Sequence, residues 1–169
     1  MLKFPASTSD VASLVARLIL GVVLVAHGWQ KLVGTGIAAT ADGFAGMGIP
    51  AAAAAAVFAT AVEFGGGVLI LLGLATPIVG VLVTLNMIGA GLFAGHFTGG
   101  VFVSKGGWEL VGLIIMGALL LLAFGPGRFS VDHVLAGRRP DAARHVRGSH
   151  VRGRGTVKVT VAGLVRTSH

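Results

Sequence analysis

His27-Gly28-Trp29-Gln30-Lys31 closes an apolar run, Val11 to Val33, and gathers an imidazole, an indole, an amide and an ammonium within a few residues. As a helix at 1.5 Å per residue, the run spans roughly 34 Å, which is enough to cross the hydrocarbon core of a bilayer with some tilt. Polar groups at the end of such a helix need water, lipid headgroups or one another as partners. The stretch therefore predicts a membrane-spanning helix that ends in a polar cluster.

The composition of the whole chain is typical of an integral membrane protein. The 169 residues have a mean hydropathy of +0.91, and only 11% of them are charged, against about 25% in soluble domains. Cysteine is absent, which excludes disulfides, dithiol redox catalysis and thiolate metal sites formed by this chain alone. Any redox role would need a bound cofactor or a partner protein.

The net charge of +7 is concentrated at the C-terminal end. Basic and acidic side chains balance over residues 1–125, whereas residues 126–169 carry the whole excess of +7. We expect residues 137–169 to form a flexible basic tail, because they are rich in Arg, Gly and His. Attraction to anionic lipid, at about 1 kcal/mol per basic residue near the surface, explains this tail more simply than nucleic-acid binding does.

Apolar segments separated by short connections define the predicted fold, a membrane domain of residues 1–136. The predicted spanning helices cover about residues 11–33, 51–73, 77–95 and 108–124. Pro50 and Pro77 suit the first turns of helices, where the missing N–H is not needed. Residues 34–49 are predicted to be a loop with a short surface helix, and Val131 to Leu135 a short interfacial helix. The expected fold class is thus an all-α membrane protein, an up-down bundle of four transmembrane helices with a basic, disordered C-terminal tail.

Two charged residues lie deep within the predicted helices. Arg17 and Glu63 differ by about 6 Å in predicted depth, a gap that an arginine side chain can bridge. An unpaired charge at that depth costs at least ~2.5 kcal/mol, so we expect an intramembrane Arg17–Glu63 ion pair. The pair would either fix the helix register or serve as a proton- or ligand-binding site. Asn86, near the middle of the third helix, is expected to hydrogen-bond between helices.

A second group of polar residues is expected to meet at one end of the bundle. We call it the outer polar cluster, and its members are His27, Trp29, Gln30, Lys31, His96, Trp108 and Glu109. One interpretation is an interfacial hydrogen-bond network that ties loops to helices. Another is a site for a quinone headgroup, which needs His or Gln donors beside an aromatic wall. A metal site is not predicted, because the spacing matches no metal signature and Lys31 would repel a cation.

Several of these motifs resemble those of the DoxX family of four-helix bacterial membrane proteins. The resemblance covers roughly residues 11–136. The motifs that carry it are His27-Gly28-Trp29-Gln30-Lys31, Glu63 with the glycines that follow it, Gly107-Trp108-Glu109-Leu110 and Gly125-Pro126-Gly127-Arg128-Phe129-Ser130-Val131-Asp132. The resemblance assigns no catalytic residue, and we expect the chain not to be an enzyme by itself.

The resemblance implies two functions, and the residues suggest a third. The first, which we favour, is a membrane anchor or subunit of an oxidant-resistance assembly that holds a superoxide dismutase and a thiol- or sulfur-transferring protein. The second, taken from the related DoxD proteins, is a subunit of a quinone-linked oxidoreductase for sulfur compounds such as thiosulfate. The third is a small-solute or proton carrier that uses Arg17 and Glu63. The sequence names neither the substrate nor the oligomeric state.

The charge distribution predicts how the chain lies in a bacterial inner membrane. Positive charge near spanning segments favours the cytoplasm, so we expect the basic tail there, together with the N-terminus, because four spans return the chain to its starting side. The outer polar cluster would then face outward. Reporter fusions at the C-terminus and within residues 98–107 test this orientation. An externally reactive C-terminus would move the outer polar cluster to the cytoplasmic face.

Overall fold

The computed structural model describes residues 6–137, so residues 138–169 of the predicted tail lie outside the described part of the chain. Over residues 6–137 the secondary structure is helical, without strands. The α-helices are α1 (Ala6–Trp29), α2 (Ile37–Gly46), α3 (Ala52–Leu72), α4 (Thr76–Phe93), α5 (Glu109–Phe124) and α6 (Val131–Gly137). A π-helical turn, Gln30–Gly34, extends α1, and a 3₁₀ turn, Val103–Lys105, precedes α5.

Three of the described helices are long and apolar enough to cross a membrane. They are Thr8–Gly34, which joins most of α1 to its π turn, then Ala52–Leu72 and Thr76–Phe93. The apolar α5 has 16 residues, or about 24 Å, and is shorter than the hydrocarbon core of roughly 30 Å. The predicted all-α membrane fold is confirmed, and its fourth apolar helix is the short one.

The outer surface of the bundle is apolar, as contact with lipid requires. On α1, Val11, Val15, Ile19 and Val22 are between 47% and 64% exposed. In water such a stripe would cost free energy in proportion to its apolar area, whereas lipid tails are as apolar as the side chains themselves. The helices therefore bury one face against each other and present the other to the bilayer.

Helices α1, α3, α4 and α5 form a ring, and each packs against two neighbours. In the contacts between neighbours, residue numbers rise along one helix as they fall along the other. The pairs that show this are Gly21–Leu71 and Gly28–Phe64 for α1 with α3, Leu20–Gly117 and Ser13–Gly125 for α1 with α5, and Gly66–Val83 and Glu63–Asn86 for α3 with α4. Each of these helices has at least one completely buried apolar side chain in the core, namely Leu24, Ile70, Val83 and Ala118.

The closest approach in the bundle lies between α1 and α3. A Cβ atom on Gly28 would lie 2.3 Å from the backbone nitrogen of Phe64, and one on Gly67 would lie 2.8 Å from that of Val25. No residue with a side chain fits at these positions without moving a backbone. Small residues allow this kind of contact between membrane helices. They fix the register of α1 against α3.

Helix α2 lies between two chain reversals and packs on α3. Gly36 and Gly48, on either side of it, have φ angles of 83° and 75°, which glycine adopts without the steric penalty of a side chain. The short helix predicted within residues 34–49 is thus present. Helix α3 begins at Ala52 rather than at Pro50, because Ala51 is in the left-handed conformation with φ 51°.

The guanidinium of Arg17 ties together the end of the bundle that lies opposite Lys31. Arg17 is 1% exposed. It donates from Nε to the Ile70 carbonyl (3.0 Å), from Nη2 to Leu71 (2.8 Å), and from Nη1 to Pro126 and Phe129 (2.8 Å each). Ile70 and Leu71 lie in the last turn of α3, where the helix dipole favours a cation.

Asp132, on α6, stabilises the same end of the bundle as Arg17. Its carboxylate accepts hydrogen bonds from the backbone N–H groups of Ala75 (2.9 Å) and Thr76 (3.0 Å), and so caps the first turn of α4. Its own N–H donates to the Gly73 carbonyl at 3.0 Å. It also attracts the positive charge of Arg17. We call Arg17, Asp132 and residues 125–131 between α5 and α6 the Arg17 joint.

The expected ion pair between Arg17 and Glu63 is not formed, which corrects the interpretation of both residues. The glycine contacts place Leu71 opposite Gly21. Leu71 is about 12 Å from Glu63 along α3, and Arg17 lies still further in that direction. The depth estimate failed because it set the outer ends of the two helices level, whereas the contact of Gly28 with Phe64 lets α3 extend about 9 Å beyond the end of the α1 segment. Arg17 therefore lies level with the end of α3 rather than with its middle.

The contact between α1 and α3 yields a first test of the fold, with two neighbouring glycines as a matched pair. We expect Gly67→Ala to lower the free energy of unfolding by about 1–3 kcal/mol, because the new methyl group overlaps the α1 backbone. Gly65→Ala should be neutral or stabilising by up to about 1 kcal/mol, because its Cβ meets open space and alanine favours the helix. Thermal unfolding in mild detergent measures both. Equal losses in the two variants would contradict the packing described.

The Arg17 joint yields a second test. Arg17→Met should destabilise the protein by more than about 3 kcal/mol, since several buried carbonyls lose their donor at about 1–3 kcal/mol each. Arg17→Lys should recover only part of this loss, because a lysine cannot reproduce the forked geometry of the guanidinium. Arg128→Gln is the control, since the Arg128 side chain is largely exposed and its ion pair with Asp10 is peripheral. A stable Arg17→Met protein in the same unfolding assay would show that the joint does not hold the bundle.

Candidate functional site

Glu63 is the buried charge around which the candidate site is built. It lies on α3 and is 4% exposed. Its Oε2 forms a salt bridge with the Lys31 ammonium, and its Oε1 accepts a hydrogen bond from Asn86 Nδ2 at 3.2 Å. Lys31 thus has the role that the sequence analysis gave to Arg17. Asn86 forms the hydrogen bond between helices that was predicted for it.

The local structure of α1 explains how Lys31 reaches Glu63. Gly28 brings α1 against the backbone of Phe64, one residue beyond Glu63. The helix then widens into the π turn Gln30–Gly34, in which Thr35 N–H donates to the Gln30 carbonyl at 2.7 Å. Single π turns within helices are frequent at functional sites. Here the turn carries Lys31 and leads into α2.

A cavity of about 370 Å³ opens beside this group, and we call it the Glu63 cavity. Its volume lies within the range of small-molecule sites. Its polar lining consists of Lys31, Glu63, Asn86 and His96. Its apolar lining is contributed by α2 and the turn after it, α3 and α4, and comprises Phe44, Met47, Ile49, Ala55, Phe58, Ala59, Leu85, Gly89, Ala90, Phe93 and Ala94.

The mouth of the Glu63 cavity lies on the lipid-facing surface. The lining residues Met47, Phe58, Leu85 and Phe93 are between 46% and 58% exposed, and the last three belong to the candidate spans α3 and α4. A ligand that enters from the bilayer would therefore cross apolar surface before it meets Lys31. The site suits a molecule with a polar head and an apolar body.

A second, smaller cavity lies inside the ring of helices, and we call it the inner cavity. Its volume is about 120 Å³. Lys31, Glu63, Ala90 and His96 line both cavities. The rest of its lining is Leu24, His27, Met87, Leu110, Val111 and Ile114. The salt bridge between Lys31 and Glu63 is thus part of the boundary between the two spaces.

The structure brings only some of the outer polar cluster together. His27, Lys31 and His96 meet at the inner cavity. Trp29 instead packs against Phe64, with ring centroids 6.0 Å apart, and is half exposed. Among residues 6–137, no group of three or more His, Cys, Asp or Glu side chains is arranged to bind a metal ion.

Two members of the outer polar cluster, His96 and Glu109, form hydrogen bonds with backbone groups of the loop between α4 and α5. Glu109 Oε1 accepts a hydrogen bond from the Val103 N–H at 2.7 Å, and His96 Nδ1 donates to the Gly106 carbonyl at 2.9 Å. These contacts match the interpretation of the cluster as a network that ties a loop to helices. Gln30 and Trp108 are exposed.

Sequence reasoning missed the aromatic walls of the site. Phe58 and Phe93 lie on spanning helices, where an apolar residue is expected to face either lipid or core. Phe44 and Met47 stand three residues apart in the segment of α2, a spacing that places two side chains on one helix face. That spacing was the one available signal that α2 covers something apolar.

The sequence of this chain is similar to those of known proteins. The DoxX family model matches residues 12–96. Inner membrane protein YqjF of Escherichia coli (strain K12) is 35% identical over 128 residues, which cover 75% of this chain and 93% of that protein. Putative oxidoreductase CatD of Bacillus subtilis (strain 168) is 40% identical over 81 residues, or 48% of this chain and 58% of that protein. No solved structure matches.

The same similarity extends to a third bacterium. The uncharacterized membrane protein Rv3486 of Mycobacterium tuberculosis is 33% identical over 140 residues, which cover 72% of this chain and 80% of that protein. The family model runs from the first half of α1 through His96, and so includes Lys31, Glu63 and Asn86. Because the family model matches half of the chain, and the Escherichia coli protein is 35% identical over 75% of it, the chain belongs to the DoxX family of membrane proteins.

Proposed function

We propose that this protein is the membrane-embedded, ligand-binding subunit of a redox assembly, and that the Glu63 cavity receives the headgroup of a quinone. The observation that carries the proposal is the group of Lys31, Glu63 and Asn86 in an aromatic-walled cavity that reaches the lipid-facing surface. The name of the Bacillus subtilis relative, a putative oxidoreductase, agrees with a redox role.

The chemistry of the cavity matches the two parts of a quinone. The ring carries carbonyl oxygens, which need hydrogen-bond donors. Lys31 and Asn86 each give one N–H to Glu63, and each has at least one further N–H to offer. The faces of the ring and the apolar tail need apolar surface, which Phe44, Phe58 and Phe93 provide. A bound quinone would supply two-electron, two-proton redox chemistry at this position.

The residues of this chain would bind and orient the headgroup rather than transfer electrons themselves. Cysteine is absent from the chain, so the electrons must come from a partner protein. A partner that oxidises a small sulfur compound is one source, and the superoxide dismutase and thiol- or sulfur-transferring proteins implied by the family resemblance are the candidates for the wider assembly. The anchor and the quinone-linked interpretations then describe one protein, which holds its partners at the membrane and offers them a quinone.

The carrier interpretation has less support. It required Arg17 and Glu63 to act together, and Arg17 instead binds backbone carbonyls at the other end of the bundle. The apolar mouth of the Glu63 cavity also favours a ligand from the lipid over a solute from water. We therefore propose binding from the bilayer.

Binding of a short-tailed quinone analogue to the purified protein in mild detergent tests this function. Gly89 lines the cavity, and a Cβ there meets open space, so Gly89→Leu should fill the cavity without a backbone clash. We expect Gly89→Leu to weaken binding at least tenfold, or about 1.4 kcal/mol. Asn86→Leu should weaken it about three- to tenfold, because one donor is lost.

Gly65→Leu is the matched control, because Gly65 also has open space around it but does not line the described cavity. It should bind the analogue as the unaltered protein does. Extraction of the protein with organic solvent should in addition release co-purified quinone from the unaltered protein and less from Gly89→Leu. Identical binding by Gly89→Leu and Gly65→Leu, or the absence of saturable binding, would refute the proposed site.

A further inference from the structure

We propose that the inner cavity is a water-filled compartment, and that protons pass from it through the Lys31–Glu63 pair to a ligand in the Glu63 cavity. The presence of water is independent of the function proposed above. The transfer to a ligand rests on that function. The two cavities share the Lys31–Glu63 ion pair as part of their boundary.

The inner cavity has the size and the lining that buried water requires. A water molecule occupies about 30 Å³ in the liquid, so a volume of about 120 Å³ holds a small cluster. Apolar cavities of this size stay dry, and polar ones hold waters that each make about three hydrogen bonds. Polar side chains from α1, its π turn, α3 and the loop after α4 reach this space: His27, Lys31, Glu63 and His96.

Within residues 6–137, three of the four ring nitrogens of the two histidines have no protein partner. Over residues 6–137, no hydrogen bond is formed by the half-buried ring of His27. His96 donates from Nδ1 to the Gly106 carbonyl, because a carbonyl can only accept, and this leaves Nε2 of the neutral ring as an acceptor. Both rings are partly exposed and line the inner cavity, so water in that cavity supplies the partners.

The ion pair connects the water to the ligand site. An ammonium carries three N–H groups, and Lys31 uses one of them for Glu63 Oε2. The others are available to the inner cavity and to the Glu63 cavity, both of which Lys31 lines. A proton given by Lys31 to a ligand oxygen can be replaced from water in the inner cavity. Asn86 holds the other oxygen of Glu63 throughout.

Every titratable group that faces the pair belongs to this path. His27 comes from α1, Lys31 from its π turn, Glu63 from α3, and His96 from the loop after α4. Helix α5 contributes apolar side chains. Glu109, at the start of α5, is bound to the loop N–H of Val103. Protons therefore enter past the histidines.

The reduction conserves electrons and protons. Reduction of the quinone to the quinol takes up two electrons and two protons, and the two ring carbonyls become hydroxyl groups. The electrons come from the partner's reductant, and in the test from dithionite. Both protons come from water by way of the inner cavity, one after the other, so Lys31 and Glu63 end in their starting state.

Single cysteines test the presence of water without any quinone, because the chain has no other cysteine. Met87 lines the inner cavity, and Val83, one turn away on α4, is completely buried in the core and does not line that cavity. The full-length protein is treated with silver ions, unfolded and then labelled with a maleimide. We expect silver to protect Met87→Cys at least tenfold faster than Val83→Cys. Equal protection rates would overturn the water-filled compartment, whether or not a quinone binds.

Filling the inner cavity tests the proton path. Val111 lines the inner cavity but not the Glu63 cavity. With a quinone analogue bound, Val111→Phe should slow quinol formation by dithionite at least tenfold and leave the Kd of the analogue within twofold. Val111→Ala, which keeps the cavity open, should react at the unaltered rate, and Ile114→Phe is the second filled variant should Val111→Phe not fold.

The outcomes separate the two proposals. Unchanged Kd and unchanged rate in a folded, filled variant would overturn the proton path and leave quinone binding standing. An unaltered protein that binds no analogue would overturn quinone binding, and the path to a quinone with it. The silver experiment would still decide whether the inner cavity holds water.

Discussion

The hydrogen bonds from the Arg17 guanidinium to backbone carbonyls are the constraint on which the rest of this bundle depends. A cation this well buried needs compensation, and here the compensation is mostly dipolar. The last carbonyls of α3 and those of the chain after α5 point at the charge. Asp132 adds a full negative charge and caps α4 at the same time. One side chain thereby holds the ends of α3 and α5 against α1, and its counter-charge holds the start of α4.

The Arg17 joint and the candidate site are coupled because both depend on the register of α1 against α3. Gly21, Gly28 and Gly67 leave no room for the helices to slide. A shift by one residue would turn the side chains of α1 by about 100°. The Lys31 side chain would then no longer point toward Glu63. The salt bridge is thus a consequence of backbone packing over several turns, and the strength of a charge pair at low dielectric stabilises it further.

The helices could be predicted from the sequence because their cause is local. Hydropathy, proline positions and glycine-rich connections gave the four apolar helices to within a few residues, and Asn86 was correctly expected to bond between helices. The partner of Glu63 could not be predicted in the same way. Arg17 lies on α1 and Lys31 on the π turn that extends it, and the choice between them depends on the register of α1 against α3. The partners of Arg17 are backbone carbonyls, which leave no signature in residue type.

The Arg17 joint and the group around Glu63 differ in how many of their N–H donors are bound to protein acceptors. This difference indicates which of the two can bind a ligand. Arg17 spends four of its five N–H groups on protein carbonyls, so little capacity is left for a ligand. Within residues 6–137, the Lys31 ammonium and the Asn86 amide are each engaged once, with Glu63.

Unused donors beside an apolar cavity cost free energy unless an acceptor arrives. A site in that state is either hydrated or occupied. Both cavities share Lys31, Glu63 and His96. The water proposed for the inner cavity would meet the first condition for Lys31. The ligand proposed for the Glu63 cavity, walled by Phe44, Phe58 and Phe93, would meet the second. The donors that face this cavity suit an acceptor carried on an apolar molecule, and the quinone proposed above is one molecule of that class.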